Sequence, residues 1–313
     1  MKTANIIVLS GQSNAVGVGH VKCLPKHFNE EKIKEYENGY ENIKINYYSH
    51  DKVSGGFVKT TLGCTEIHKD TLGPEIGIAE YLDENYKDEE FFIVKAAVGG
   101  ANIKRDYLSP SNKGDYDTSS FDDNYGDLVK TFFSGKNIKA GWCYNYLVKA
   151  IRESIEYLEA KGYNPEIKAF CWMQGESDAF ETEDVKNYIC RYENLLKDLN
   201  EEFKDYFKNC IYLDGGISDK WKYYKEMNEI KKNYAATHKN SYYIDTIGEG
   251  LITDNEPFEE PDIAHYDSDC TIKLGRLFAE KIKFWNSGLA DLLQWALLVT
   301  EMTQKSYLLI NFS

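Results

Sequence analysis

Short apolar runs that end at glycine or at polar turns recur along the chain, and they predict the strands of a sheet. They occupy residues 5–9, 91–98, 167–173, 210–213 and 242–244. The first is β-branched and stops at Ser10 and Gly11, and the second stops at Gly99 and Gly100. Continuous apolar runs of this length are typical of strands buried on both faces of a parallel sheet.

Between these runs, apolar residues recur at helical spacing and predict amphipathic helices. The first covers about residues 74–86, with Pro74 in its opening turn, where proline is favoured. The second covers about 144–161 and ends at Gly162. A third spans 185–199, a fourth lies between 213 and 242, and the last covers about 268–285. The inner face of the last helix carries Leu274, Leu277, Phe278, Ile282 and Trp285.

The alternation of strand and helix predicts an α/β fold. Its expected form is a three-layer α/β/α arrangement, in which helices cover both faces of a central, mostly parallel sheet. Ligand sites in such sheets lie beyond the carboxyl ends of the strands. Residues that directly follow a predicted strand are therefore the first candidates for chemistry.

Two regions depart from this pattern. Residues 101–141 are polar, rich in Asp, Ser, Asn and Tyr, and lack periodicity. We predict a long insertion there in a main domain of residues 1–285, acting as a lid, a binding loop or a disordered segment. Residues 286–313 form a carboxyl-terminal extension with leucines at helical spacing. Three roles stay open for it: docking on the domain, pairing subunits in a homo-oligomer, or a foreign addition.

Composition narrows the classes of partner. The formal charge is −14, from 51 acidic and 37 basic residues, which disfavours nucleic acid as a partner. The acidic excess suits a neutral or cationic ligand, or serves solubility alone. The seven cysteines are scattered without a C-x-x-C pair, which argues against a disulfide framework and a zinc ribbon.

The sequence pattern also argues against export and membrane insertion. The apolar run before Ser10 is too short for the core of a signal peptide. The apolar stretch at 292–299 is interrupted by Gln294 and is far shorter than a membrane span. We expect a cytoplasmic protein that does not engage a membrane.

Ser13 is the first candidate for chemistry, because it lies in SGQSNAVG directly after the first strand. A serine on the turn that leaves a parallel strand exposes its hydroxyl at the rim of the sheet. The backbone N–H groups at the start of the next helix can then bind a negative oxygen. The alternative is an ordinary helix cap, a position that Ser and Asn favour. The phosphate-loop pattern is absent.

Asp262 and His265, in PDIAHYDS, form the second candidate. A catalytic serine needs a base within hydrogen-bond reach, and that base needs a carboxylate to fix its tautomer. At this spacing Asp262 can hold the imidazole while the other ring nitrogen faces Ser13. The alternative is a histidine on a surface loop among solvated acids.

Two further motifs follow predicted strands. In WMQGESD, residues 172–178, Gln174 can donate its amide to an oxyanion, or the segment is a polar turn that satisfies its own backbone. In AVGGANI, Gly99 and Gly100 allow backbone N–H groups to approach a ligand closely, or mark only a tight turn.

The combination and order of these motifs resemble the SGNH hydrolase superfamily, whose fold is flavodoxin-like. The amino-acid sequences of the motifs are most similar to those of one branch of this superfamily. That branch contains the sialic-acid-specific acetylesterase-like and acetylxylan-esterase-related proteins, carbohydrate esterase family six. The matching segments cover about residues 4–285. They are GQSN at 11–14, GPE at 73–75, GG at 99–100, WMQGESD at 172–178 and the stretch 265–279.

The resemblance implies a serine esterase that removes acetyl groups from a carbohydrate, such as acetylated xylan fragments or sialic acid, without a metal or other cofactor. Ser13 would be the nucleophile, His265 the base and Asp262 its orienting acid. In the wider superfamily an Asn donates to the oxyanion, and Ser177 occupies that place here, so Gln174 is the substitute. The expected oxyanion and substrate-binding set is completed by the following residues: Ser13 N–H, Gly99, Gly100, Gln12, Asn14 and Glu176.

Three other classes remain as alternatives. A conventional α/β-hydrolase is disfavoured because the G-x-S-x-G elbow is missing, although G-x-S-x-A occurs at both Ser13 and Ser177. An SGNH lipase or thioesterase of another branch would share the triad and prefer longer acyl chains. A non-catalytic carbohydrate-binding protein would use the aromatic side chains of the long loop and would have no need of the Ser, His and Asp set.

Overall fold

The computed structural model describes residues 2–65, 70–112 and 138–282, and a single mixed sheet forms its centre. The strands are β1 (Lys2–Gly11), β2 (Gly19–His20), β3 (Tyr40–Ser49), β4 (Lys52–Val53), β5 (Val58–Thr60), β6 (Thr71–Leu72), β7 (Phe91–Ala97), β8 (Tyr163–Met173), β9 (Ile211–Gly215) and β10 (Ser241–Ile244). The helices are α1 (Ser13–Val16), α2 (Glu30–Asn38), α3 (Glu75–Asn85), α4 (Trp142–Ala160), α5 (Thr182–Glu202), α6 (Tyr224–Thr237) and α7 (Ser268–Lys281), with 3-10 turns at Val21–Lys26, Pro110–Asn112 and Glu176–Asp178.

The strand order in the main sheet is β10-β9-β8-β1-β7-β3-β4, with β5 also paired to β3. The strands from β10 to β3 are parallel to their neighbours, and only the short β4 and β5 run antiparallel to β3. The five predicted strands are present, and the predicted mostly parallel sheet is confirmed. β1 lies in the middle of the order, so its carboxyl end faces the centre of the rim.

The sequence prediction missed β3, the strand beside β7. Its sequence, YENIKINYYS, alternates apolar and polar residues and has no continuous apolar run. This pattern fits a strand close to the edge of the sheet, where one side of the ladder carries only short partners. The omission matters for the site, because the residue that follows β3 reaches the rim next to β7.

Helices lie on both faces of the sheet, as neighbouring residues of β7 show. Phe91 contacts Tyr86 at the end of α3, with 5.8 Å between ring centroids. Phe92 instead contacts Phe57, which contacts Tyr157 of α4. Since successive side chains of a strand point to opposite faces, α3 and α4 cover opposite sides. The predicted three-layer α/β/α arrangement is therefore confirmed.

The helices α3 and α7 pack against each other through two glycines. A Cβ on Gly77 would lie 1.8 Å from the carbonyl oxygen of Ile272, and one on Gly275 would lie 1.8 Å from that of Pro74. Backbones this close exclude any side chain larger than hydrogen. This packing fixes the position of α7, whose amino terminus directly follows the segment that carries Asp262 and His265.

The first part of the predicted long loop, residues 101–112, is largely buried. Asn102, Arg105, Asp106 and Tyr107 are at most 8% exposed, and the Tyr107 hydroxyl donates to the Gly11 carbonyl at 2.7 Å. This stretch is polar because its side chains satisfy the backbone beneath the rim, which composition alone does not distinguish from a solvated loop. Residues 113–137 of the predicted loop, Trp285 and the predicted extension 286–313 lie outside the described residues.

Over residues 2–65, 70–112 and 138–282, none of the helices has the length and apolar character needed to cross a membrane.

Candidate active site

The turn that carries Ser13 is built where β1 meets β8. A Cβ on Gly11 would lie 1.9 Å from the Met173 carbonyl oxygen, and Gly11 has a φ of 136°, so glycine is required there. The Gln12 N–H then donates to the Met173 carbonyl at 2.9 Å. α1 begins at Ser13, which is partly exposed between the buried Gln12 and Asn14. The turn therefore leaves the Ser13 side chain partly exposed at the carboxyl end of β1.

Asn14 connects this turn to the segment that carries His265. Its side-chain oxygen accepts the Tyr266 N–H at 3.1 Å, and its amide donates to the Ala264 carbonyl at 3.4 Å and to Glu176 Oε1 at 2.8 Å. Asn14 thus bonds both neighbours of His265. The residue that follows Ser13 therefore links this turn to the backbone on either side of His265, which lies 252 positions further along the sequence.

Asp262 holds the His265 ring. Its Oδ2 lies 2.5 Å from His265 Nδ1, while its Oδ1 accepts the Ala264 N–H at 2.9 Å. The hydrogen bond from His265 lowers the pKa of Asp262 below its ordinary value, against the opposing effect of partial burial. An ionised carboxylate on Nδ1 fixes the tautomer in which Nε2 carries a lone pair, the form that a general base requires.

The segment with Asp262 is anchored by Glu256, which is 3% exposed. The Glu256 carbonyl accepts the Asp262 N–H at 2.8 Å, and its Oε2 accepts the Ser268 N–H at 2.8 Å, at the start of α7. Its Oε1 lies 2.7 Å from His27 Nε2, and Asp269 lies 3.6 Å from His27 Nδ1. Glu256 therefore joins both ends of the loop that carries Asp262 and His265.

His27, Glu256 and Asp269 are also, within the described ranges, the ligand-type side chains that come close enough to hold a metal ion. Each carboxylate approaches a different nitrogen of the His27 ring. An ion binds one nitrogen of an imidazole, so this arrangement suits a ring bridged between two carboxylates better than a metal centre.

Gln174 lies beneath the rim rather than on it. It is fully buried, and its amide nitrogen lies 2.5 Å from Asp178 Oδ2 and 3.2 Å from the Ala101 carbonyl oxygen. Its oxygen accepts from the Tyr188 hydroxyl at 2.9 Å. Both amide hydrogens thus have buried acceptors, and this geometry corrects the expectation that Gln174 donates to an oxyanion. The polar groups of Gln174 instead stabilise the turn after β8 through these hydrogen bonds.

Gln12 and Glu176, which the sequence placed in the substrate-binding set, are also turned inward. Gln12 is 2% exposed, and its Oε1 accepts the Ser177 N–H at 3.1 Å. Glu176 is fully buried, and burial raises the pKa of its carboxyl group. Together with Asn14, these side chains join the turn after β1 to the turn after β8. They position the site and are covered from solvent.

The two glycines after β7 differ in what their N–H groups do. The Gly99 N–H donates to His50 Nε2 at 2.9 Å. Within the described part of the chain, the N–H groups of Gly100 and Ser13 have no hydrogen-bond partner. Gly100 has a φ of 68°, a conformation that glycine adopts readily. In the described structure the N–H groups of Gly100 and Ser13 are therefore available to a ligand, whereas that of Gly99 is not.

A buried ion pair below the turn escaped the sequence prediction. Lys231 Nζ lies 2.7 Å from Asp214 Oδ1, 2.7 Å from the Gly215 carbonyl oxygen and 2.5 Å from the Gln174 carbonyl oxygen. Neither Lys231 nor Asp214 is more than 4% exposed. The lysine fixes the carbonyl of Gln174 at the end of β8. In the sequence it lies in a run of charges on α6 that is typical of a solvated helix face.

The burial of Asp178, which is 2% exposed, should make the stability of the protein depend on pH. Burial raises its pKa to about 6, whereas an unfolded aspartate titrates at about 3.9. Between these values the folded state keeps a proton that the unfolded state has released, so this contribution to stability falls as the pH rises from about 4 to about 6. Asp178→Asn removes the titration. The unfolding free energy of the wild type minus that of the variant should decrease over this interval by on the order of 1–3 kcal/mol.

Urea unfolding of both proteins at about pH 4.5 and at pH 7 measures this difference. A difference of the same size at both pH values would show that Asp178 does not hold a proton in the folded state.

Comparisons with known proteins agree with this architecture. The family model for carbohydrate esterase, sialic acid-specific acetylesterase, matches residues 3–283. No curated protein sequence matches the chain. Its structure resembles that of a protein from Arabidopsis thaliana, with 20% identity, a TM-score of 0.59 and coverage of 89% of this chain and 97% of that chain. It also resembles NanS, with 17% identity, a TM-score of 0.60 and coverage of 91% and 98%.

A carbohydrate acetylesterase from Xanthomonas citri is a further structural relative, at 13% identity and a TM-score of 0.55, covering 88% of this chain and 55% of that chain. At these identities the solved structures support the fold, and the family model supports the chemistry. The match extends over nearly the whole described part of the chain. The chain belongs to the sialic acid-specific acetylesterase family of carbohydrate esterases, and it is a carboxylic ester hydrolase.

Proposed function

We propose that this protein removes acetyl groups from a carbohydrate through an acyl-enzyme on Ser13, with His265 as the base and Asp262 as its orienting acid. The observation that carries the proposal is the pair of hydrogen bonds between the Asn14 side chain and the two neighbours of His265: Asn14 donates to the Ala264 carbonyl and accepts the Tyr266 N–H. These bonds support a position of His265 close to the Ser13 turn, and the contact of Asp262 with Nδ1 supports the tautomer that a base requires. A serine, a base and an acid in this order make up the acyl-transfer constellation.

In the first half-reaction the Ser13 Oγ attacks the carbonyl carbon of the acetyl ester, and His265 Nε2 takes the serine proton. The carbonyl oxygen becomes negative and receives hydrogen bonds from the N–H groups of Ser13 and Gly100. When the tetrahedral intermediate collapses, the bond to the sugar oxygen breaks and His265 returns the proton to that oxygen. The deacetylated sugar leaves, and Ser13 carries the acetyl group.

In the second half-reaction a water molecule attacks the acetyl-serine. His265 accepts its proton and then returns a proton to Ser13, which releases acetate. Asp262 remains ionised throughout and stabilises the positive ring. The lowered pKa of Asp262 supports this role, because the carboxylate keeps its charge when the ring is protonated. The steps assigned to these residues need no metal ion.

Charge favours a neutral sugar as the acetyl carrier. The formal net charge of −14 gives the protein a negative field, and Glu256 and Asp262 of the loop that carries His265, with Asp269 in the first turn of α7, add to it near the site. A carboxylated sugar such as sialic acid would be repelled on approach, whereas an acetylated xylan fragment would not. We therefore propose acetylated xylo-oligosaccharides as the preferred substrate class, with acetylated sialic acid as the second candidate.

The acyl preference tests the proposal directly. We expect acetate esters to be cleaved faster than butyrate or longer esters, because a pocket sized for acetyl must repack around each added methylene, at about 1–3 kcal/mol each. The measurement compares kcat/KM for p-nitrophenyl esters of rising chain length, for acetylated xylo-oligosaccharides and for acetylated sialic acid.

Each alternative function has its own outcome in this assay. A preference for long acyl chains would indicate a lipase or thioesterase. Retained sugar binding without turnover of any ester would indicate a carbohydrate-binding protein.

A further inference from the structure

His50 lies at the rim although the mechanism above gives it no part. It directly follows β3, where Ser49 is in register with Ala97 of β7, so it reaches the turn that begins at Val98. The side chain is buried, and Nε2 accepts the Gly99 N–H at 2.9 Å. A histidine ring of the neighbouring strand thus contacts the glycine turn expected to bind the oxyanion.

Three hydrogen bonds fix the conformation of this turn. Besides the bond from Gly99 to His50, the Ala101 N–H donates to the Val98 carbonyl at 3.3 Å, and the Ser177 hydroxyl donates to the Gly100 carbonyl at 3.0 Å. The groups held by these bonds are the Gly99 N–H, the Gly100 carbonyl and the Ala101 N–H, which lie on both sides of the Gly100 N–H. The Gly100 N–H is left without a partner among the described residues.

We propose that His50 is a positioning residue for ester hydrolysis: its neutral ring accepts the Gly99 N–H and thereby holds the Gly100 N–H where the oxyanion forms. The inference rests on the proposed function, because it presumes acyl transfer at Ser13. Glycine is the most flexible residue, and two in succession would otherwise sample many orientations. A displacement of about 1 Å in such a group can cost on the order of 10²-fold in rate.

The surroundings keep the ring in the state that this role requires. Burial lowers the pKa of His50 to about 4, and the nearby Lys95 ammonium acts in the same direction, whereas Asp51 opposes them. Lys95 is itself held by Glu75 at 2.7 Å, with both side chains fully buried. The ring is therefore neutral at neutral pH. Neutral imidazole can offer Nε2 as an acceptor, whereas a protonated ring has none to offer.

The backbone of His50 suggests a matched pair of variants. His50 has a φ of 53°, in the left-handed region, where Asn is tolerated well. His50→Asn keeps this conformation, but its side-chain oxygen is too short to reach the Gly99 N–H. His50→Gln places an amide oxygen close to the position of Nε2 and can accept that N–H. If His50 serves only the backbone turn, Asn should be the milder replacement.

For acetyl-ester hydrolysis we expect His50→Asn to lower kcat by about 10–100-fold with KM within about twofold, because the misplaced donor acts in the transition state. His50→Gln should retain kcat within about fivefold of the wild type. Rates are expressed per folded molecule, with the folded fraction taken from circular dichroism. Wild-type kcat in His50→Asn, or equal losses in both variants, would overturn the inference.

A measurement on the unaltered protein covers the case in which neither variant folds. The ¹⁵N chemical shift of His50 Nε2 at pH 7 should be that of a nitrogen without a proton. A protonated Nε2 would overturn the assignment of the ring as an acceptor. The proposed function fails separately: wild-type protein that hydrolyses no acetyl ester contradicts Ser13 catalysis, whereas an active wild type with the wrong variant pattern contradicts only the role of His50.

Discussion

Ser13→Ala is expected to abolish acetyl-ester hydrolysis and leave the fold intact. In the proposed mechanism the Ser13 hydroxyl supplies the atom that attacks the ester, and loss of a serine nucleophile can cost on the order of 10⁶ in kcat. The fold should not change, because the side chain is partly exposed and, in the described part of the chain, its hydroxyl has no hydrogen-bond partner. The measurement is kcat on an acetyl ester, with thermal unfolding of both proteins as the control.

A fluorophosphonate probe distinguishes Ser13 from other serines of the chain. The second G-x-S-x-A serine, Ser177, donates its hydroxyl to the Gly100 carbonyl at 3.0 Å, and no histidine among the described residues is hydrogen-bonded to it. The label should therefore be found on the peptide that contains Ser13 and be absent from the Ser13→Ala protein. Near-normal turnover of Ser13→Ala, or labelling of Ser177 in its place, would contradict the assignment of the nucleophile.

The sheet was predictable from sequence where strands are buried on both faces. The central strands β1, β7 and β8 contain continuous apolar runs of strand length, and the polar or glycine turns that follow them favour strand over helix. β3 was missed because polar residues interrupt it, and its place beside β7 depends on pairing between residues far apart in sequence. Since His50 follows β3, its contact with the Gly99 turn could not be predicted either.

The motifs predict where the site lies, but they do not decide the role of each residue in it. Ser13, Asp262 and His265 could be proposed from the sequence because their residue types and their order match those that acyl transfer requires. Gln174 has the same polarity whether it faces an oxyanion or a buried carboxylate. Only the contacts with Asp178 and Ala101 decide between the two, and these contacts depend on packing across turns from different strands.

Lys231 illustrates a second limit of the sequence. A lysine within a charged helical run is usually solvated, and nothing in the run KKNY marks this one as buried. Its burial is stabilised by the packing of α6 near the ends of β8 and β9. There Lys231 donates hydrogen bonds to two carbonyl groups and to the Asp214 carboxylate. Sequence periodicity identifies the face of a helix, but it does not identify the polar groups that the face will meet.

The base and its acid should differ in their effects when each is replaced. His265→Ala is expected to be nearly as damaging as Ser13→Ala, because the nucleophile and the base act as a unit and losing either disables the same step. Asp262→Asn should lower kcat by roughly 10²–10⁴, because the ring loses its tautomer control and its partner for positive charge. The Asn side chain can place an amide N–H where the carboxylate oxygen now lies 2.5 Å from Nδ1. An N–H donor at that position favours the tautomer in which Nδ1 carries the lone pair and Nε2 the proton, which cannot act as the base.

These effects should appear in kcat and not in stability or substrate affinity. Asp262 and His265 are both partly exposed, and their loop is anchored independently through Glu256, Asn14 and the start of α7. Asp269→Asn is a suitable control, because it removes a carboxylate from the same surface without touching the His265 ring, and its kcat should remain within about twofold of the wild type. If Asp262→Asn and Asp269→Asn lowered kcat equally, the carboxylate would act through the general field of the loop, and Asp262 would have no specific part in orienting the base.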